Sequence, residues 1–331
     1  MFDELRRKMR SKRYLYKHIR NMFGFMSGKR DRYSYLKSMI LKNCHSIEKG
    51  LTSTKIRYGF GEKKIRLILD YLQELYAIDS NAFEIKIARG VLNSYLNLHK
   101  QSNYDDKEFK ALAEKISAVL SEIQSDELVG GVLELNVKDI NNDFNNFEKL
   151  VATRHSIRAF KPEKVKPEVI EKAIKLAMLA PSACNRQSTR VYVVDRSEFD
   201  KIKGWDAGVK TFIDMVDKIL IITGQMSAYE GDEFFQYSVS ASIFAAYLTL
   251  ALHAQGIGCC LLERPLYENQ QWESVRKNLS IPDNEQCVCA VAIGVPDDVQ
   301  KVPVSQRLPY ERIVKYVGEY NKDYAKEQKC E

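Results

Sequence analysis

The sequence predicts an α+β protein in which a helical N-terminal region precedes a domain of helices and short strands. Three observations support this. Apolar residues recur at helical spacing from about residue 33 to 125. Runs of β-branched residues appear beyond residue 190, and a stretch rich in Asn and Asp, residues 136–146, separates the two patterns. With 331 residues, 45% of them hydrophobic, the chain can bury two ordinary cores.

We predict four segments: a basic amphipathic arm at 1–32, a helical region at 33–140, the mixed domain at 145–320 and a polar tail at 321–331. The arm interleaves Lys and Arg with apolar residues. A helix of this composition suits contact with an acidic membrane surface through residues 1–25, and a frayed, solvated arm is the alternative. No nucleic-acid-binding motif accompanies the charge, so we expect no nucleic-acid partner.

The helical region shows the 3.6-residue period clearly at Ile65, Ile68, Leu69, Leu72 and Leu75. Its last helix is predicted to begin at Asp105 and Asp106. In the mixed domain we predict helices at 167–180, 234–255 and 267–278, and strands at 191–194, 219–223, 259–262 and 288–295. The apolar stretch 238–262 is interrupted by polar residues, which favours a buried helix over a membrane span.

The seven cysteines form an odd set without C-x-x-C spacing, so we expect neither a disulfide framework nor a metal site. The charged N-terminus lacks the apolar region of a secretory signal. We therefore expect a cytoplasmic protein, with contact to the inner face of the membrane as an open alternative.

Four short motifs in the mixed domain carry candidate chemistry. The first, residues 154–160, brings two arginines and a serine to one side, which suits a phosphate dianion; a basic helix terminus that binds its own carbonyls is the alternative. The second, residues 180–188, combines small residues with amides that donate and accept hydrogen bonds, although polar turns of this kind are common. Both are ambiguous when taken alone.

The third motif contains Gly256 and Gly258, which end a helix and open a strand. This order is the reverse of a dinucleotide-binding fingerprint, and Cys259 and Cys260 beside them are expected in the core. The fourth motif is the I-G-V-P sequence at 293–296, followed by Arg307 before a Pro-containing turn. By itself, Arg307 would be taken for a solvated surface residue.

The joint order and spacing of the four motifs resembles the nitroreductase-like flavoprotein family over roughly 175 residues. The resemblance implies a mixed or antiparallel central sheet flanked by helices, FMN as cofactor, and a homodimer with FMN at its interface. The implied cofactor-binding residues are Arg154, His155, Ser156, Arg158, Pro181, Ser182, Ala183, Asn185, Gln187, Leu262, Glu263 and Arg307. No catalytic side chain is implied, because the chemistry belongs to flavin N5.

The resemblance also assigns roles to these residues. Arg154, His155 and Ser156 would hold the phosphate and ribityl chain, and Arg158 the N1 and O2 edge of the ring. Pro181, Ser182, Ala183 and Asn185 would reach the flavin from the opposite protomer. Leu262 and Glu263 would offer backbone amides to N5 and O4, and Arg307 would bind phosphate. Two departures from the family are Ser188-Thr189, where a Pro and an aromatic residue are common, and Ser305, where some members have Lys.

The implied function is an FMN-dependent oxidoreductase that takes electrons from NADH or NADPH and reduces a small conjugated acceptor by ping-pong hydride transfer through flavin N5. Dehydrogenation, reductive dehalogenation and oxygen-dependent chemistry remain alternatives within the enzyme class. A flavin-binding or membrane-associated accessory protein without reductase turnover is the alternative outside it, and similar extended proteins are associated with polysaccharide biosynthesis.

His45 and Glu48, in the segment C-H-S-I-E-K-G-L, lie three residues apart on a predicted helix that Gly50 would end. We expect a structural hydrogen bond or cap there, with a role in lining the flavin pocket as the alternative.

Overall fold

The computed structural model describes residues 2–53, 55–123, 129–133, 144–203, 209–263, 270–300, 302–303, 305 and 307–317. The chain divides into two compact units, Met1–Asp298 and Val299–Glu331. The first unit contains both the N-terminal helices and the sheet. The predicted segment boundaries at residues 32 and 320 remain predictions, and most of the predicted boundary stretch 136–146 lies outside the described residues.

Five helices make up the described N-terminal part: α1 (Phe2–Met26), α2 (Arg32–Leu51), α3 (Glu62–Ile78), α4 (Phe83–Gln101) and α5 (Lys107–Glu122). The predicted helical stripe of α3 is buried together with apolar residues of α2, α4 and α5 in one core. Asp106 caps α5 by accepting a hydrogen bond from the Phe109 amide at 2.9 Å, as predicted. The N-terminal helices therefore build a hydrophobic core of their own.

The sheet has four antiparallel strands in the order β1-β2-β4-β3, with β1 at Thr189–Asp195, β2 at Lys218–Gln225, β3 at Gly258–Leu262 and β4 at Glu285–Gly294. Each strand contains one of the four predicted runs, although β4 ends at Gly294 rather than at Val295. The two central strands, β2 and β4, are almost wholly buried, which explains their continuous runs of apolar residues.

Helices α6 (Phe144–Thr153), α7 (Pro167–Ala177), α8 (Gln236–Ala254) and α9 (Gln270–Asn278) surround the sheet. Helices α7 and α8 contribute to the core on one face, and α9 contributes to the core on the other. The predicted α+β architecture is confirmed. The predicted helices at 167–180 and 234–255 are slightly shorter in the structure, and residues 264–269 are not among those described.

Helix α8 is, by length and composition, able to cross a membrane, and half of its apolar window is buried inside the protein. Tyr237, Phe244 and Leu248 are among the residues that it buries against the sheet domain. This packing agrees with the prediction of a core helix.

The N-terminal helices pack directly on the sheet domain. Met22, Phe25 and Met26 of α1 share a buried cluster with Tyr229 and Tyr237. His18 Nε2 lies 3.0 Å from the Tyr237 hydroxyl, Lys17 pairs with Glu273, and Lys42 of α2 pairs with Glu230. The second half of the predicted arm is thus a packed helix rather than a solvated one.

Candidate functional site

The basic segment 154–160 runs along the outer side of strand β3. Ser156 forms a parallel bridge with Cys259, and the Ile157 amide donates to the Cys259 carbonyl at 2.9 Å. Phe160 forms an antiparallel bridge with Pro296. The segment is therefore extended and lies against the edge of the antiparallel sheet through one isolated parallel bridge.

Two glycines make this close approach feasible. Gly258 of β3 and Gly294 of β4 face each other in register, and both lie against Phe160. A Cβ atom at Gly258 would come within 3.0 Å of the Phe160 ring, and one at Gly294 within 2.7 Å. The glycines of the third and fourth motifs therefore hold the first motif in place, which is a packing function.

Arg154, Ser156 and Arg158 converge on the buried thiol of Cys260. Burial raises the pKa of this thiol, whereas the charge of Arg158, a hydrogen bond with Ser156 and the charge of Arg154 act in the opposite direction. The basic segment therefore brings two guanidinium groups and a hydroxyl to the β3 edge. Cys259 and Cys260 are core residues, as predicted.

The end of helix α8 adds a histidine to this basic cluster. Burial lowers the pKa of His253, and the charges of Arg154 and His155 lower it further. His253 Nε2 lies 2.9 Å from the Thr153 hydroxyl. Within the described ranges, no carboxylate forms an ion pair with Arg154, His155 or Arg158, so the cluster has an excess of positive charge.

The second motif, residues 180–188, has an unusual backbone conformation. Cys184, Asn185 and Gln187 all have left-handed φ angles, near 50°. The Gln187 amide donates to the Ser182 hydroxyl at 3.1 Å, and the Ala183 amide donates to Ser240 Oγ of α8 at 3.3 Å. These bonds fix a tight turn immediately before β1. The side chains of Asn185 and Gln187 remain exposed.

Arg186, between those two exposed residues, is a site residue that the sequence analysis missed. Its side chain is wholly buried, donates to Glu233 at 2.7 Å and lies over the Tyr229 ring at 4.8 Å. Among the described residues, its Nε and Nη1 groups have no hydrogen-bond acceptor. Glu233 follows Arg186 by 47 residues, so no local pattern indicates this pairing.

The remaining predicted residues fall in three places. Leu262 is buried at the end of β3, and Glu263 follows it, exposed. Pro181 begins the turn before β1 and is exposed. Arg307 belongs to the second compact unit, where it donates to the Ser305 carbonyl at 2.8 Å. Its predicted role in phosphate binding stays a prediction.

The two main groups of predicted residues do not meet within one chain. The basic segment and Leu262 lie at the β3 edge, whereas residues 181–187 lead into β1 at the opposite edge of the sheet. Three interstrand spacings separate the two edge strands, roughly 14 Å. One chain thus brings together Arg154, His155, Ser156 and Arg158 at one edge of the sheet, but not the whole predicted set.

The donor chemistry at the β3 edge fits a phosphorylated cofactor such as FMN. Arginine groups and a hydroxyl are the donors that a phosphate dianion prefers, and within the described ranges no carboxylate forms an ion pair with these arginines. The residues that would hold the phosphate and ribityl chain are Arg154, His155 and Ser156, and Arg158 would lie at the N1 and O2 edge of the ring. Within the described residues, no group of three or more His, Cys, Asp or Glu side chains is arranged for a metal ion.

Comparisons with known proteins identify the family of this chain. The sequence model of the nitroreductase family matches residues 151–218 and 205–295. The chain is 31% identical over 157 residues to an Archaeoglobus fulgidus protein named "Putative NADH dehydrogenase/NAD(P)H nitroreductase", a match that covers 45% of this chain and 85% of that protein.

Solved structures with a similar fold include an FMN-dependent nitroreductase from Clostridium difficile R20291, at 23% identity and a TM-score of 0.43, covering 51% of this chain and 98% of that one. A nitroreductase family protein from Streptococcus pneumoniae TIGR4 is 20% identical with a TM-score of 0.43, covering 52% of this chain and all of that one. The family match and the identity to the Archaeoglobus protein, which is covered over most of its length, show that this chain belongs to the nitroreductase family.

Proposed function

We propose that the protein is an FMN-dependent oxidoreductase that uses NADH or NADPH to reduce a small conjugated acceptor. The observation that carries the proposal is the extended segment with Arg154, Ser156 and Arg158 that lies beside β3, where no carboxylate forms an ion pair with either arginine in the described ranges. The name of the Archaeoglobus relative, which refers to NADH and NAD(P)H, supports the choice of electron donor.

Bound FMN would supply the redox chemistry that couples the nicotinamide to the acceptor in a ping-pong sequence. The residues of this chain bind and orient it. Arg154, His155 and Ser156 would hold the phosphate and ribityl chain. Arg158 would place a fixed positive charge at the N1 and O2 edge, where reduction adds negative charge, and so favour the reduced form.

The proposal includes a homodimer, because residues 181–187 lie at the sheet edge opposite the basic segment. A second copy would bring its own turn to the flavin. The outer face of α8 supports this arrangement, since Val239 and Tyr247 are both more than 40% exposed on a largely apolar helix. Sedimentation should give twice the mass of one chain, and a monomer that binds FMN tightly would contradict the shared site.

The test is the absorption spectrum of the purified chain with FMN, before and after anaerobic addition of NADH or NADPH. We expect a yellow protein that at least one nicotinamide bleaches. Arg158→Ala should weaken FMN binding about 10- to 100-fold, because a charge-assisted hydrogen bond contributes about 1.5–3 kcal/mol. Arg57→Ala is the matched control, because Arg57 is an exposed arginine on a distant loop.

Two outcomes would contradict the proposal. A purified protein that is colourless and does not bind excess FMN would show that FMN is not its cofactor. A yellow chain that neither nicotinamide reduces would favour the accessory role, in which flavin is bound without reductase turnover. The acceptor is then identified by turnover with nitroaromatics and quinones, while dehydrogenation and oxygen-dependent chemistry are tested with the same flavin-loaded protein.

A second candidate role, in a cytoplasmic protein, is contact with the inner surface of the membrane through α1. Leu15, Tyr16 and Phe23 are exposed on α1 beside exposed Arg13 and Arg20, while the opposite side of the helix packs on the sheet domain. An apolar row flanked by cations suits an acidic bilayer surface. Flotation with acidic but not neutral vesicles should detect the contact, and equal recovery with both would contradict it.

A further inference from the structure

A cavity of about 480 Å³ lies where the N-terminal helices meet the turn before β1, inside the first compact unit. Helices α2 and α4 form one wall, and residues 180–187, β1 and α8 form the other. The volume is in the range of pockets that enclose small organic molecules. Neither the family resemblance nor the basic segment accounts for this cavity.

Three of the four charged residues that line the cavity are cations. Lys37, Arg186 and Arg190 line it, and Glu84 is the acidic residue that does so among those described. When Glu233, which pairs with Arg186, is also counted, three positive charges face two negative ones. A pocket with excess positive charge and low-dielectric walls attracts an anion.

Arg186 is the most informative of these residues. It is buried, and only its Nη2 group has a described acceptor, the Glu233 carboxylate. Its Nε and Nη1 groups have none among the described residues. A buried guanidinium normally uses its donors, because an unpaired buried donor is costly, and a carboxylate of a bound molecule would satisfy them.

The rest of the lining is apolar and includes Leu41, Phe83, Ile87, Met178 and Phe244. Aromatic and aliphatic side chains of this kind suit the flat body of a conjugated molecule. Ser182 and Gln187 of the same lining belong to the turn that the family resemblance assigns to the flavin. In the proposed homodimer, a molecule in the cavity would therefore lie beside the flavin that is held by the basic segment of the opposite protomer.

We propose that the cavity binds the acceptor, and that the acceptor is a small conjugated carboxylate whose anion meets Lys37 and Arg186 while its ring packs against Phe83 and Phe244. This rests on the proposed function. It also gives the N-terminal helices a role, since α2 and α4 supply Lys37, Glu84 and Phe83 to the pocket.

Two probes of nearly equal size test the charge preference: 4-nitrobenzoate, an anion, and 4-nitrobenzamide, which is neutral. Their dissociation constants are measured by calorimetry on the full chain loaded with FMN, and their KM values in turnover with the nicotinamide that bleaches the flavin. We expect the wild-type protein to bind 4-nitrobenzoate at least about 10-fold more tightly, as for a charge-assisted pair.

Two variants each remove one cation of the lining and keep buried Arg186, because the loss of that residue endangers the fold. Arg190→Gln lowers the net charge of the lining and removes an exposed cation whose hydrogen bonds, among the described residues, go to the Gln187 and Thr189 carbonyls. The double variant Lys37→Gln/Glu84→Gln removes both members of a pair whose charged atoms lie 3.3 Å apart. It leaves the net charge unchanged and removes the ammonium group that the proposal places on the anion. Each variant should lower the ratio of the two affinities by about 3- to 10-fold, whereas Arg57→Gln should leave the ratio unchanged.

The outcomes separate the two proposals. A chain that binds no FMN, or that neither nicotinamide bleaches, overturns the proposed function and this inference together. A chain that binds and reduces FMN but holds both probes equally overturns the inference alone. Unchanged affinity ratios in both cavity variants would also overturn it, because the anion would then bind elsewhere.

Discussion

Two histidines show how the N-terminal helices differ from the edge of the sheet domain. His99 of α4 is buried among aromatic rings, its Nε2 accepts from the Gly59 amide at 2.9 Å, and its Nδ1 lies 2.8 Å from the Tyr95 carbonyl. His155, at the sheet edge, is exposed and has no described side-chain partner. Both nitrogens of the first ring are used inside the protein, whereas those of the second are available to a ligand.

The same contrast extends to the surrounding residues. Glu48 of α2 accepts from the Gly131 amide at 3.1 Å and lies 3.5 Å from His45, so the predicted contact in that segment is internal. At the sheet edge, Arg154 and Arg158 gather without carboxylate partners in the described ranges. Polar groups that are satisfied internally contribute to stability, whereas groups left open at an edge are suited to binding.

The largest effect should come from the core of the N-terminal helices. Leu72→Ala removes a fully buried side chain of α3 and should lower the free energy of unfolding by about 2–5 kcal/mol. Leu67→Ala, at an exposed position of the same helix, should cost less than about 1 kcal/mol. Denaturant unfolding measures both, and FMN content is determined on the folded fraction.

The comparison predicts that Leu72→Ala leaves FMN content per folded chain unchanged. If the folded fraction of Leu72→Ala contained less FMN than the folded wild-type protein, the core of the N-terminal helices would contribute to FMN binding as well as to stability.

A smaller effect on stability, accompanied by an effect on binding, is expected at the sheet edge. Gly294→Ala would place a Cβ atom within 2.7 Å of the Phe160 ring and should cost about 1–3 kcal/mol through overpacking. Because Phe160 ends the basic segment, FMN binding should weaken as well. Gly231→Ala is the control, since a Cβ there meets its nearest neighbour, Phe23, only at 3.6 Å.

If Gly294→Ala binds FMN as tightly as the wild type, the glycine pair does not position the arginines.

The secondary-structure elements whose residues are close in sequence could be predicted. The β-branched runs located all four strands, and the 3.6-residue period located α3, because both patterns reflect burial of neighbouring residues. The contact of Phe160 with Gly294 could not be found in this way, since 134 residues separate the two positions. The burial of Arg186 depends on Glu233 and Tyr229, and the cavity joins α2 to β1, so both follow from tertiary packing alone.

The smallest effect concerns pH. Burial lowers the pKa of His99 below its ordinary value of 6.5, and the hydrogen bond with Tyr95 offsets only part of this shift. The neutral ring is favoured because Nε2 accepts from a backbone N–H and has no room for a proton. As the pH falls below about 6.5, the unfolded chain takes up a proton that the folded chain does not, so stability decreases, by at most about 1.4 kcal/mol per pH unit.

His99→Gln should be less stable than the wild type at neutral pH, but it should lose less stability on acidification. The informative quantity is therefore the difference in unfolding free energy between the two proteins, which should shrink between pH 7 and pH 5. His253, whose pKa is also lowered, contributes equally to both proteins and cancels in this difference. If the difference in unfolding free energy between the wild type and His99→Gln stays constant between pH 7 and pH 5, the folded protein does not hold the His99 ring in its neutral form. The contrast between the two regions would then fail at the residue where it is clearest.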